Sequence, residues 1–128
     1  MKRIYQPLPE FNNKEIEQIL QSGSIEELMI LPLSVGEYSA NWKRAQDVCV
    51  ELSKHNDEKV RANSALGIAY IARTKGKLEK HTVKPVLLEL LNNCSEYRWR
   101  VIYSIQDINT YMNWTIGEKA INRFEKPE

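Results

Sequence analysis

Glycine and proline are scarce in this 128-residue chain, five of each, against roughly 7% and 5% in average proteins. That scarcity excludes a collagen-like repeat and a long disordered linker. Cysteine is scarcer still: Cys49 and Cys94 lack the spacing of a metal knuckle or a redox pair, and both read as small buried apolar residues. Histidine is limited to His55 and His81. Neither has a second ligand at helical spacing, so no metal is expected and both read as exposed loop residues. No Gly-x-Ser-x-Gly elbow, glycine-rich phosphate loop or cysteine-nucleophile motif occurs. Glu26 and Glu27 are adjacent, so on a helix they point about 100° apart and cannot act as a facing carboxylate pair. The reading is of a non-enzyme, without cofactor or small-molecule substrate. No window approaches the ~18 apolar residues of a membrane span. Met1–Pro9 carries basic residues without an apolar run of secretory length, so a cytoplasmic protein with no membrane partner is expected.

What is present is enough apolar material, 42% of residues, for one continuous core, and a single domain over residues 1–128 is expected. Its most informative feature is a pattern that occurs twice. Asp57–Ala69 lines up 39 residues later with Glu96–Ile108. In that register an acidic residue opens each helix and an apolar-Arg pair follows, Val60-Arg61 and then Trp99-Arg100. Ala62 falls in step with Val101, Leu66 with Ile105, and Ala69 with Ile108; upstream, Val48, Cys49 and Leu52 match Leu87, Leu88 and Leu91. A period near 40 built from helix pairs marks a helical solenoid, whose surfaces usually bind macromolecules.

Local signals place six or seven helices and no sheet. Residues 1–11 read as an irregular arm. Asn12-Asn13 starts a helix that Gly23 stops. Ser24 with Glu27 makes a capping box for a second helix, which Pro32 should end or kink, leaving 33–40 as a connection. The third helix runs from Asn41 or Trp42 to about Lys54. The fourth is capped by Asp57 and ends before Gly76; its nearly all-round apolar composition suggests the central helix. The fifth starts at Thr82 with Pro85 in its first turn. The sixth spans about Glu96–Met112, and Thr115–Phe124 is amphipathic enough to be a helix capping the open end.

The segment Asp57–Ile71, with its acidic cap, Val-Arg, small residues and Ala-Leu-Gly step, resembles the second helix of HEAT and HEAT-like repeats; Glu96–Ile108 is a degenerate copy, with Gln106 where Gly67 stood. The resemblance covers about residues 42–112. It implies an all-α, short α-solenoid of antiparallel helix pairs of the HEAT/armadillo type. It also implies that Arg61 and Arg100 bond a neighbouring repeat's Asp or carbonyls; the alternative is a guanidinium fork for phosphate or carboxylate. Ile25–Val35, Val60–Asn63 and Gly67–Arg73 are similar to segments of small helical-repeat immunity proteins of bacterial contact-dependent and other polymorphic toxin systems. That second resemblance implies binding and neutralising a cognate toxin.

Charge is uneven beneath a net +1: residues 1–53 carry five Lys/Arg and eight Asp/Glu, whereas residues 54–100 carry ten and five. An acidic end with Glu26, Glu27, Glu37, Tyr38 and Trp42 would suit a basic partner such as a nuclease toxin domain. On the sixth helix, Trp99, Tyr103 and Asp107 lie off the face made by Val101, Ile105, Ile108 and Met112, and exposed aromatics are frequent at interface centres. The competing reading is that the terminal segment covers them. Two alternative functions stand beside toxin neutralisation. One is a generic scaffold or adaptor. The other is nucleic-acid binding through Lys54, Lys59, Arg73, Lys75, Lys77, Lys80 and Lys84, centred on residues 73–84, as in the HEAT-like alkylpurine DNA glycosylases. The pI near 7.7 disfavours it, since duplex binders usually exceed about 9.

Overall fold

Side-chain capping decides where the first four helices begin. In the computed structural model, which describes residues 7–125, the Asn12 carboxamide accepts the Glu15 amide at 2.8 Å and the Glu15 carboxylate accepts the Asn12 amide at 2.9 Å. Ser24 and Glu27 repeat this reciprocal box, and the Asp57 carboxylate accepts the Lys59 and Val60 amides. Each box satisfies helix-start amides that otherwise have no partner. The chain ordered by these caps comprises, among the described residues, seven helices and no strand: α1 (Asn13–Ser22), α2 (Ile25–Tyr38), α3 (Trp42–Leu52), α4 (Glu58–Lys75), α5 (Lys80–Asn93), α6 (Arg98–Met112) and α7 (Glu118–Glu125). Gly76, at φ +63°, ends α4 in the left-handed conformation that costs glycine nothing, and Asn113, at φ +57°, does the same for α6. Of the expected irregular arm, residues 1–6 lie outside the described residues. Pro7–Phe11 form no regular element, and the Pro9 carbonyl accepts the Ser34 hydroxyl at 2.7 Å.

The helices stack as pairs in two layers. α2, α4 and α6 lie side by side, with α1, α3 and α5 packed behind them; α4 touches α2, α3, α5 and α6, the central position its composition predicts. One apolar cluster runs from Ile16 through Leu31, Val48, Ile68, Leu87 and Ile105 to Ile121. Beyond α6, Ile116 and Ile121 are buried, and Asn109 bonds both the N–H and the C=O of Ile116, which fastens the terminal segment across the open end.

Several expectations require correction. α2 does not end at Pro32 but continues to Tyr38, so Leu33–Tyr38 is helix and only Ser39–Asn41 connects. The reason is tertiary. Leu31, Pro32, Ser34, Val35 and Gly36 are all buried, and α2 meets α4 at two facing glycines, so close that a Cβ on Gly36 would lie 2.6 Å from the Gly67 carbonyl oxygen. Packing on that scale outweighs the local cost of proline. α5 begins at Lys80, two residues early, which puts Pro85 in its second turn; the reciprocal pair Gln46–Glu79, at 2.8 Å in both directions, holds the preceding residue. Glu96 does not cap α6: the turn entering it is held from the previous repeat, the Glu58 carboxylate accepting the Glu96 and Tyr97 amides at 2.6 and 2.9 Å. Leu66 does not share the full burial of its repeat partner Ile105.

Candidate functional site

The two repeat arginines occupy matching positions and do different things. Arg61 donates to the His55, Asn56 and Asn93 carbonyls and to the Asn93 side chain, spending its guanidinium on the turn before α4 and the end of α5. Arg100 donates one side-chain bond, at 2.6 Å, to the Asn63 side-chain oxygen, while Asn63 in turn donates to the Met29 carbonyl at 2.8 Å. That relay links α6, α4 and α2. It also holds the Arg100 guanidinium 5.4 Å from the centre of the Tyr97 ring.

Along α6, Trp99, Tyr103, Asp107 and Tyr111 follow one another at i+4, a stripe about 18 Å long. All four are exposed, Trp99 by 54%, Tyr103 by 59% and Tyr111 by 52%. Because α7 packs elsewhere, with Phe124 against Arg98 at 4.1 Å, the terminal segment does not cover Trp99 and Tyr103. Their rings lie 5.9 Å apart, inclined by 31°. Beside them a groove of about 410 Å³ opens between α4 and α6, lined by Leu66, Glu96, Tyr97, Trp99, Arg100 and Tyr103. Three large aromatic groups left in water on one helix face are costly unless something covers them. Tyr111 escaped the sequence reading, although its i+4 step from Asp107 was available.

The other predicted residues are not gathered. Glu26 and Glu27 sit at the start of α2 and Glu37 and Tyr38 at its end, about 16 Å apart along the axis. Glu27 is held in its capping box. Glu37 pairs with Arg73, whose guanidinium stacks 4.6 Å from the Tyr70 ring. Tyr38 lines a separate cleft of about 390 Å³ with Phe11, Ile16 and Asn41, and Trp42 is partly buried against the core. The basic cluster divides too: Lys54 and Lys59 flank the start of α4, whereas Arg73, Lys75, Lys77, Lys80 and Lys84 lie at its far end, roughly 20 Å away. Lys80 there covers the Trp114 ring at 5.5 Å.

His55, the two cysteines and Glu79 serve the fold. His55 Nδ1 accepts the Asp57 amide at 3.0 Å. Burial pushes the Cys49 and Cys94 thiols up from their ordinary range, so neither is a ready nucleophile. The side-chain hydrogen bond from Gln46, aided by Lys43, holds Glu79 below the ordinary carboxylate value. Among the described residues no helix is long and apolar enough to cross a membrane.

No protein-family model matches the chain, and no curated protein matches it. Among solved structures, it is similar to a chain of a CDI complex from Cupriavidus taiwanensis LMG 19424, with a TM-score of 0.73 at 20% identity, over 86% of this chain and 98% of the other. At that identity the likeness establishes a shared all-α fold along nearly the full length of both.

Proposed function

We propose that this chain is an immunity protein of a contact-dependent or related polymorphic toxin system, one that binds a cognate toxin domain and neutralises it without catalysis. The observation that carries the reading is the fold shared with a chain of a CDI complex, CDI being read as contact-dependent inhibition. The surface proposed for the toxin is the outer face of α6, with Trp99 and Tyr103 as aromatic anchors and Asp107 as a rim charge. A basic nuclease domain was expected from carboxylates gathered at one end. With Glu26 and Glu27 distant from Glu37, and Glu37 paired with Arg73, that argument no longer selects a partner, and the proposal is made without naming the toxin's activity.

Co-production tests it. Where a gene for a toxin domain adjoins the gene for this chain, cells producing that domain should survive when the chain is present and die when it is absent. Death in both cases would overturn the immunity reading.

A further inference from the structure

The unspent arginine points to the chemistry of what docks. We infer that the α4–α6 groove accepts an acidic side chain of a partner protein, carried next to an apolar residue: the carboxylate meets the Arg100 guanidinium while the apolar neighbour covers Trp99, Tyr103 and Leu66. This deepens the immunity reading, and rests on it for the partner being a toxin.

Three observations support it. First, among the described residues Arg100 has no carboxylate within 4.0 Å and makes one side-chain hydrogen bond, so most of its donor fork is free in a groove it helps to line. Its repeat partner Arg61, donating four, shows what a purely structural arginine at this position does. Second, the fork is aimed in advance. Asn63 holds one end of it and is itself fixed by the Met29 carbonyl, which reduces the ordering cost of a new bond. Third, the local charges admit an anion. Lys59 Nζ also lies over the Tyr97 ring, 5.9 Å from its centre, and adds a second positive charge. Of the two carboxylates there, neither pairs with Arg100: Glu58 keeps its charge but is turned to the Glu96 and Tyr97 amides, and Glu96 is an exposed residue of the groove lining, where water and salt screen it. Arg100 is half-buried between aromatic walls, where a guanidinium–carboxylate pair is screened less and can form two parallel bonds. Phosphate of a nucleic acid would meet the same fork, but the other basic groups are divided between two ends of α4, and the pI of 7.7 is below that of duplex binders.

The test uses two blocked tripeptides, acetyl-Leu-Glu-Leu-amide and acetyl-Leu-Gln-Leu-amide, titrated into the ¹⁵N-labelled chain while the Arg100 Nε–H and Trp99 indole N–H signals are followed. The glutamate peptide should shift both saturably, about 10-fold more tightly than the glutamine peptide. Followed at the Trp99 indole N–H, Arg100→Gln should abolish the difference and Arg100→Lys should keep part of it, each variant retaining the wild-type helical spectrum. Equal affinity for the two peptides, no response to either, or discrimination that survives in Arg100→Gln would overturn the inference. So would a short DNA duplex that moves the same signals more strongly at physiological salt. Against the toxin encoded beside this chain, wild-type binding unchanged in Arg100→Gln would sink the groove assignment and leave immunity standing. Peptide discrimination without any toxin binding would do the reverse.

Discussion

Replacing Gly67 with alanine probes the closest helix approach in the fold. A Cβ built there lies 2.6 Å from the Pro32 carbonyl oxygen, 2.8 Å from the Pro32 Cβ and 2.8 Å from the Cys49 sulfur, each well inside van der Waals contact. None of these atoms is the free end of a flexible side chain: two belong to a proline inside α2, and Cys49 is fully buried in α3. The methyl therefore has to push α2 away from α4. Overpacking of this kind costs about 1–3 kcal/mol. Alanine's advantage over glycine in a helix returns at most ~1 kcal/mol, and a contact at the severe end of the range leaves a net loss of about 2 kcal/mol. For a chain of this length that is a fall in melting temperature of roughly 6–10 °C. Urea denaturation followed by circular dichroism should show a lower midpoint at unchanged slope. Gly76→Ala is the comparison, since a Cβ there meets nothing within 4 Å and only the positive φ resists it. Its cost should be about 1–2 kcal/mol, from the left-handed backbone alone. A Gly67→Ala protein within ~0.5 kcal/mol of wild type, or more stable, would refute the close crossing and with it the reason α2 continues through Pro32.

Two further predictions separate core from surface and assign an acid-side contribution. Ile105→Ala, at a fully buried position, should cost about 2–5 kcal/mol, whereas Leu66→Ala at the groove should cost under ~1 kcal/mol; denaturant midpoints that rank them the other way would reverse the faces of α4 and α6. Glu79 has its carboxyl held below the ordinary 4.5 by Gln46 and Lys43, so its stabilisation is present above that value and is lost as pH falls through the lowered one. The gap in stability between wild type and Glu79→Gln should therefore shrink as pH falls through and below 4.5, and a gap constant with pH would contradict the assignment.

Much of the architecture is written in local chemistry. Asn12, Ser24 and Asp57 announce helix starts because a short polar side chain finds amides two or three residues on, and Gly76 announces a stop for an equally local reason. What the sequence hides depends on distant atoms. Pro32 is a reliable breaker until Gly36 and Gly67 bring two helices together, and with that crossing Glu37 and Tyr38 fall in the last turn of α2 instead of on a loop. Glu58 shapes the entry to α6 from 38 residues away, which no helix-start rule inspects. Of the candidate surface, Trp99, Tyr103 and Asp107 were legible as one side of an amphipathic helix, but their exposure turned on where the terminal segment docks. The groove was less legible still: a repeat alignment pairs Leu66 with buried Ile105 and Arg100 with fully engaged Arg61, and in both pairs the structure separates the partners.

The central proposal, that the outer face of α6 holds a toxin, is tested most directly by titrating a toxin domain that the chain protects against into wild type and Trp99→Ala. The account predicts saturable one-to-one binding by wild type and a loss of about 10- to 30-fold or more in Trp99→Ala, carried mainly by faster dissociation, with the variant's own stability within ~0.5 kcal/mol of wild type because Trp99 is mostly exposed. Tight binding by both proteins alike would contradict the claim and move the interface off this face.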